Sequence, residues 1–579
     1  MTYRAPVADI QFALEKVAGF EEARAAGHFA EVPEDLVAAI LEEAGKFATE
    51  EIAPLNQPGD RQGARLADGK VTVPAGFAET YRAWAEAGWN GLAGPEEFGG
   101  QGLPVMLQVA THEMWNSASM AFSLGPLLTI GAVEALHRHA SDDLKSRYLE
   151  KLVTGAWTGT MNLTEPQAGS DLNALVARAE PQGDGTYRIF GTKIFITYGE
   201  HEMTDNIVHL VLARLPDAPA GTRGISLFLV PKFLPDGSRN DVLCSGIEHK
   251  LGIHGSPTCT MIYGDKGGAT GWLIGEENRG LACMFTMMNN ARLAVGIQGV
   301  AIAERAFQQA LAYAHERRQG RAPGASGPGM SPIIGHADIR RQLMTMASLT
   351  AATRGICYAC AHAIDMARVT EGEAAKAWQE RANLLTPIAK GFSTDIGVEV
   401  ASLGVQIHGG MGFIEETGAA QHYRDARIAP IYEGTNGIQA IDLVARKLPQ
   451  SGGEAVASYV ASLRDVANAA LGAGEEAAVR VGRRLAAALD DLEAATVHIT
   501  GEGAGEALAG ATPYLRLFGL VAGGAYLVRG MLAAPQDRRQ RQLALFYGDN
   551  LLPGTSAQLV AVIDGADAVL DDGGVLAER

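Results

Sequence analysis

The sequence predicts an α+β chain of several domains, in which helical segments enclose a stretch of short strands and a further helical segment is appended. Three observations predict it. The first is length, since 579 residues exceed what one hydrophobic core usually serves. The second is the apolar period, which is helical toward both ends and switches to β-type runs between about 156 and 283. The third is composition: with 47% hydrophobic and 20% charged residues, the chain reads as an ordinary globular enzyme with no sign of disorder.

Residues 1–155 read as an N-terminal helical domain, with apolar positions three and four apart in 36–41 and 144–152 and a glycine-rich loop at 94–102. Residues 156–283 read as a central β domain. Its candidate strands are 187–190, 193–197, 207–212 and 225–230, separated by turn residues. Residues 284–448 read as a C-terminal four-helix bundle, interrupted by the Gly/Pro/Ser-rich stretch 322–332. Residues 449–579 read as an additional alanine-rich helical domain behind the linker Ser451-Gly452-Gly453. Its most apolar stretch, 514–532, contains Arg516 and Arg529, which leave twelve residues between charges. A membrane span needs about twenty, so a core helix is expected there and no membrane span.

Charge and cysteine usage limit partners and compartment. The formal charge of −18 opposes long-range attraction to nucleic acid or anionic lipid. Residues 451–579 hold ten Arg and no Lys against sixteen Asp plus Glu, a balance of −6, so only Arg538-Arg539-Gln540-Arg541 could touch phosphate. No nucleic-acid partner is expected. Five cysteines are too few, and odd in number, for a disulfide scaffold, which points to a reducing compartment. Cys357 and Cys360 form a C-x-x-C inside a helical run with no second Cys or His pair at metal spacing, so no metal is assigned. The first twenty residues lack an apolar secretory core, and a cytoplasmic location is expected.

Neither G-x-G-x-x-G nor a P-loop occurs, and G-x-S-x-G and H-E-x-x-H are also absent, which disfavours the commonest nucleotide folds and hydrolases. The chemistry-bearing segments are Leu163-Thr164-Glu165-Pro166-Gln167-Ala168-Gly169-Ser170-Asp171, then Gly191-Thr192-Lys193-Ile194-Phe195-Ile196-Thr197, then Gln406-Ile407-His408-Gly409-Gly410-Met411-Gly412 leading to Glu433. Glu433 is the candidate catalytic base. It stands on a turn just ahead of a helix, where Asn436 followed by Gln439 reads as an N-cap with its capping-box partner. Gly434 and Gly437 beside it let the backbone approach a planar ligand.

In this order the segments carry T-E-P-x-x-G-S-D, G-x-K-x-[WF]-I-T, Q-x-x-G-G-x-G and Y-E-G-T, and the chain thereby resembles the acyl-CoA dehydrogenase family over about residues 30–448. The resemblance implies that family's three-domain fold, FAD as cofactor, an acyl-CoA thioester as substrate and an electron-transferring flavoprotein as acceptor. It implies that Glu433 takes the α proton while the flavin accepts a hydride from the opposite face. Met161, Leu163, Thr164, Ser170, Phe195, Thr197 and Thr435 become implied FAD contacts, with Phe195 where Trp is commoner. Arg317, Gln406, Gly409 and Gly410 become implied contacts to the FAD pyrophosphate of a neighbouring subunit. Gln319-Gly320 departs there from the family's Phe-Gly. Ser170, Arg292, Glu433 and Gly434 become implied substrate contacts, Ser170 at the CoA channel and Arg292 near the base.

The opening segment 10–17 and the appended domain resemble those of the family's members in dimethylsulfoniopropionate breakdown, and that resemblance implies a short thioester, 3-methylmercaptopropionyl-CoA, as substrate. The alternatives are a medium- or long-chain acyl-CoA dehydrogenase, a DNA-binding alkylation-response flavoprotein on the same fold, and an oxidase returning electrons to oxygen. A homodimer is expected, because the appended domain would cover the surface on which three-domain relatives build tetramers.

Overall fold

A computed structural model describes residues 3–326 and 328–577. The first region is mainly helical, with α1 (Glu34–Phe47), α2 (Val105–Ala118), α3 (Met120–His139) and α4 (Asp142–Val153). All of α2 and most of α3 are buried, which is why they are apolar around most of their circumference and not striped. Ser119 separates them, its hydroxyl accepting from the Phe122 N–H at 3.4 Å to cap α3. The cap of α2 comes from elsewhere. Its Val105 and Met106 N–H groups each donate at 2.8 Å to the Asp365 carboxylate, far away in sequence, which satisfies orphan donors and places negative charge at the positive helix end. The all-helical reading of this region is corrected by a small hairpin, Arg65–Ala67 with Lys70–Thr72, closed by Asp68 and Gly69 at positive φ. Three-residue strands are too short to change the apolar period.

One eight-stranded sheet follows, built from β1 (Thr158–Asn162), β2 (Arg178–Pro181), β3 (Tyr187–Thr197), β4 (Ile207–Ala213), β5 (Ser226–Pro231), β6 (Val242–Ile247), β7 (Thr258–Tyr263) and β8 (Ala269–Ile274). Its order is β1-β4-β5-β8-β3-β7-β6, with β2 also on β3. The pairing of β1 with β4 is parallel and the others are antiparallel. The candidate strands 187–190 and 193–197 prove to be one. Against β7 the register slips between Lys193 and Ile196, and Phe195 in that bulge takes φ +60°. The bulge breaks the alternation, so one strand reads as two.

Three long helices then form the bundle: α5 (Gly280–Glu316), α6 (Ala337–Val369) and α7 (Gly372–His408), followed by the short α8 (Ala419–Ala426) and α9 (Asn436–Asp442). The Gly/Pro/Ser-rich stretch lies between α5 and α6, as its composition predicts. A buried charge network ties α2 to the bundle. Arg354 donates to Glu113 at 2.6 Å and to Glu304 at 2.9 Å, and the Tyr358 hydroxyl donates to Glu113 at 2.6 Å. Cys357 and Cys360 are buried on α6, with Ser393 and Thr386 of α7 beside their sulfurs.

The appended region contains α10 (Glu454–Gly472), α11 (Glu476–Gly501), α12 (Ala511–Ala533), α13 (Arg538–Asn550) and α14 (Thr555–Asp564). Helices α3 and α12 are long and apolar enough to cross a membrane, yet 83% of the most apolar window of each is buried inside the fold. Arg516 and Arg529 of α12 leave the apolar face to pair with Glu399 and Glu22. The helix docks on α7 through small residues. A Cβ on Gly391 would lie 2.9 Å from Leu515, and one on Gly519 would fall into the Phe392 ring. Gly519→Val therefore overpacks this seam, a change that costs about 1–3 kcal/mol. We expect a lower thermal unfolding midpoint for this variant; an unchanged midpoint would mean that the seam is loose.

Candidate active site

Between α8 and α9 the chain turns through Tyr432, Glu433, Gly434 and Thr435, with Glu433 at φ +56° and Gly434 at φ +82°. A non-glycine residue in this region carries strain of about 1–3 kcal/mol and persists only where its surroundings over-determine it. Here α7 does so. Lys390 Nζ donates to the Gly434 carbonyl and to Asn436 Oδ1, both at 2.8 Å. Asn436 Nδ2 donates to the Gly391 carbonyl at 3.0 Å and to Asp395 at 2.7 Å. Gln439 Nε2 reaches back to the carbonyls of Glu433 and Gly434, each at 3.2 Å.

These contacts correct the helix cap expected at Asn436. The cap is Thr435, whose Oγ1 accepts from the Ile438 N–H at 3.3 Å, while Asn436 is the first residue of α9. Thr and Asn both cap helices well. The choice falls to Thr435 because α7 engages the Asn436 side chain.

Burial sets the electrostatics of the turn. It raises the half-buried Glu433 carboxyl to about 7, against the opposing pull of Arg292 and Lys390. The fully buried Lys390 amine is pushed down to about 7 by the same desolvation, with Glu433 and Asp395 resisting. Arg292 is only 5% exposed and donates to Asp442 at 3.2 Å, and its Nε has no partner among the described residues. The Tyr432 hydroxyl donates to Gln298. Among the described residues the Glu433 backbone N–H donates to no acceptor. The turn thus offers a carboxylate that titrates near neutrality and a free N–H on the same residue, the two groups needed to accept a proton beside a carbonyl and to hydrogen-bond that carbonyl.

Arg292 also lines a cavity of about 220 Å³ between α2, α3, α5, α6 and α7. Gln108 and His112 of α2, Leu293 and Ile297 of α5, and Lys447 share the wall. Burial pushes His112 down to about 4, so it is neutral at pH 7, and its Nε2 is unpartnered among the described residues.

The two earlier motifs meet at the sheet. Ile194 N–H donates to the Thr164 carbonyl at 3.0 Å, and Lys193 Nζ donates to the Leu163 carbonyl at 3.0 Å and to Glu165 at 2.8 Å. The Glu165 carboxylate also accepts from the N–H groups of Val176 and Ala177. Burial alone would raise this carboxyl, but Lys193 and the two N–H groups hold it below its ordinary value. The result ties the 163–165 segment to β3, where Met161, Leu163, Thr164 and Thr197 are half-buried and Phe195 in its bulge is 58% exposed. An exposed aromatic slab among half-buried apolar and hydroxyl groups fits a planar aromatic ligand. Ser170 is exposed on the loop just beyond.

Arg317, Gln406, Gly409 and Gly410 are exposed at one end of the bundle. Tyr313 of α5 stacks on His408 of α7 with centroids 4.4 Å apart, which brings together the helix ends that carry them. Sequence reasoning missed Lys390, Glu165, Lys193 and His112 as organising residues. The signal for Lys390 was available, a single cation in the apolar run Ile388-Ala389-Lys390-Gly391-Phe392.

Residues 35–156, 160–265 and 278–448 match the families described as the N-terminal, middle and C-terminal domains of acyl-CoA dehydrogenase. Residues 454–571 match the family described as acetyl-CoA dehydrogenase C-terminal like. A 3-methylmercaptopropionyl-CoA dehydrogenase of Ruegeria pomeroyi is 48% identical, the match covering 98% of this chain and 99% of that one. Among solved structures, Caenorhabditis elegans ACDH-11 in complex with C11-CoA superposes with TM-score 0.81 at 21% identity, covering 97% of this chain and 96% of that one. The Bacillus anthracis acyl-CoA dehydrogenase complexed with FAD does so with TM-score 0.75 at 23% identity, covering 93% and 89%. At those identities the two structures speak to the fold.

The Glu165–Lys193 pair gives a test of the sheet-side geometry. Both side chains are almost completely buried, and removing one partner of such a pair costs about 3–5 kcal/mol. Glu165→Ala is expected to lower the unfolding midpoint sharply and Glu165→Ala/Lys193→Met to recover part of the loss. Equal losses in the two variants would mean that the pair is not what pins the loop.

Proposed function

The chain belongs to the acyl-CoA dehydrogenase family, and we propose that it oxidises 3-methylmercaptopropionyl-CoA between its α and β carbons to the trans-2-enoyl thioester. The observation that carries this reading is Glu433, held on a strained turn with its carboxyl raised to about 7. FAD is the cofactor, and when bound it accepts the hydride that leaves the β carbon. Phe195 would face the flavin ring, with Met161, Leu163, Thr164, Thr197 and Thr435 as further contacts and Ser170 beside both flavin and CoA. Glu433 would take the α proton. Its free backbone N–H would hydrogen-bond the thioester oxygen, acidifying that proton as negative charge develops on the oxygen. Gly434 would be a further substrate contact through its backbone, and Arg292 would hold Glu433 as its charged form. Arg317, Gln406, Gly409 and Gly410 would grip the pyrophosphate of the neighbouring subunit's FAD.

The full-length similarity to the Ruegeria pomeroyi enzyme supports the substrate. An electron-transferring flavoprotein is the proposed acceptor. The five cysteines are all unpaired, in keeping with a cytoplasmic location. The appended region, placed at 449–579, covers faces of α6 and α7 and supports a homodimer. The other proposed divisions fall after residues 155 and 283.

Glu433→Gln should keep FAD and thioester binding and lose about 10²–10⁴-fold or more in kcat, because the amide cannot accept a proton. In the wild type the protonated carboxyl is inactive, so turnover should rise as pH passes upward through about 7. Lys390→Met removes a cation that favours the carboxylate and should move this limb to higher pH. Anaerobic flavin bleaching with a panel of thioesters checks the substrate; faster bleaching by long-chain acyl-CoA would reject the short-chain reading.

Arg317→Ala should weaken FAD retention and oligomer stability together, since ligand binding and association are linked to the same folded state. Flavin content and sedimentation measure this. Wild-type values for both would reduce Arg317 to a solvated helix-end charge.

A further inference from the structure

A second cavity, of about 200 Å³, lies where α12 and α10 meet α6, α7 and the N-terminal segment. Its walls include His362, Trp378, Arg381, Tyr459, Tyr526 and Arg529. None of these belongs to the Glu433 or Phe195 clusters. The Arg381 guanidinium lies 5.1 Å from the Trp378 ring centroid and 5.6 Å from that of Tyr459, and no carboxylate pairs with it among the described residues. Arg529 does have a partner, Glu22 at 2.6 Å, whose side chain is 73% exposed. His362 is 7% exposed and stands edge-on to Trp378 with centroids 5.4 Å apart. Its buried Nδ1 has no hydrogen-bond partner among the described residues.

An arginine held beside aromatic rings by cation–π contact and not by a carboxylate keeps its five donors available. Two guanidiniums against one carboxylate leave the cavity with one uncompensated positive charge. That balance suits a monoanion, whereas a phosphate monoester carries about −1.5 to −2 at pH 7. The aromatic rings of Trp378, Tyr459 and Tyr526 supply apolar walls for the rest of a ligand. We propose that this cavity is a binding site for a small organic carboxylate with a flat or short apolar body, its carboxylate on the Arg381 guanidinium.

The Arg381 fork suits a planar carboxylate bidentately. Because the site joins the appended region to the bundle, an occupant would bridge the two and stabilise their docking by mass action. Binding there requires neither turnover nor an occupied thioester site.

The test is calorimetric titration of oxidised holoenzyme with benzoate, and separately with inorganic phosphate, on wild type, Arg381→Gln and Arg381→Lys. We expect saturable benzoate binding with Kd below about 1 mM, weakened about ten-fold or more in Arg381→Gln, the loss expected of one charge-assisted pair. Arg381→Lys should fall between them, because it keeps the charge and loses the fork. Flavin content and turnover without benzoate should match wild type in both variants, which separates lost binding from misfolding. Absence of saturable benzoate binding, equal affinity in Arg381→Gln, or binding of phosphate in preference to benzoate would each overturn the proposal.

Discussion

The arrangement of the site depends on the burial of one amino group. Lys390 Nζ is shut away from water on α7, and its two hydrogen bonds go to the Gly434 carbonyl and Asn436 Oδ1. A buried ammonium without such acceptors would be strongly disfavoured. The turn therefore cannot swing away without stranding it. The same contact holds Glu433 at positive φ, a conformation the residue would otherwise leave. Desolvation lifts the Glu433 carboxyl and the nearby cations pull it back, so its titration falls near neutrality as the outcome of two opposed effects.

The sheet side is organised by an analogous buried pair with a different purpose. Glu165 and Lys193 belong to motifs nearly thirty residues apart, and their contact closes the loop 163–177 onto β3. The bulge at Phe195 then matters. A regular strand would alternate its side chains between the faces, whereas the register slip lets Phe195 stand exposed next to the buried Ile196 and Lys193. Both halves of the site thus use a buried lysine to fix backbone geometry, and each leaves one functional side chain accessible.

The appended helices explain a composition that is ambiguous when read alone. Helix α12 is apolar enough for a lipid phase because it packs against α6, α7 and its own neighbours, with glycines allowing side chains of one helix into the backbone of another. Its two arginines reach carboxylates on other elements, which is affordable only at the margins of the packed face. The cavity at this junction is a place where the apolar fit is replaced by aromatic rings and cations.

The sequence by itself determined the succession of helix, strand and helix, because apolar periodicity reports which face of each element is buried. It also placed Glu433 outside a helix and marked α12 as a core element from the spacing of Arg516 and Arg529. It did not decide that 187–197 is one strand, since a bulge and a turn interrupt alternation alike. It could not choose between Thr435 and Asn436 as the cap, because both residues have the required side chain. Nor did it reveal that Asp365 caps α2, or that Lys390 holds the Glu433 turn. Those outcomes rest on polar partners brought together from distant parts of the chain, and a hydrogen bond leaves no period in the sequence. Only the tertiary structure decides which donor meets which acceptor, because only folding removes the water that would otherwise satisfy them both.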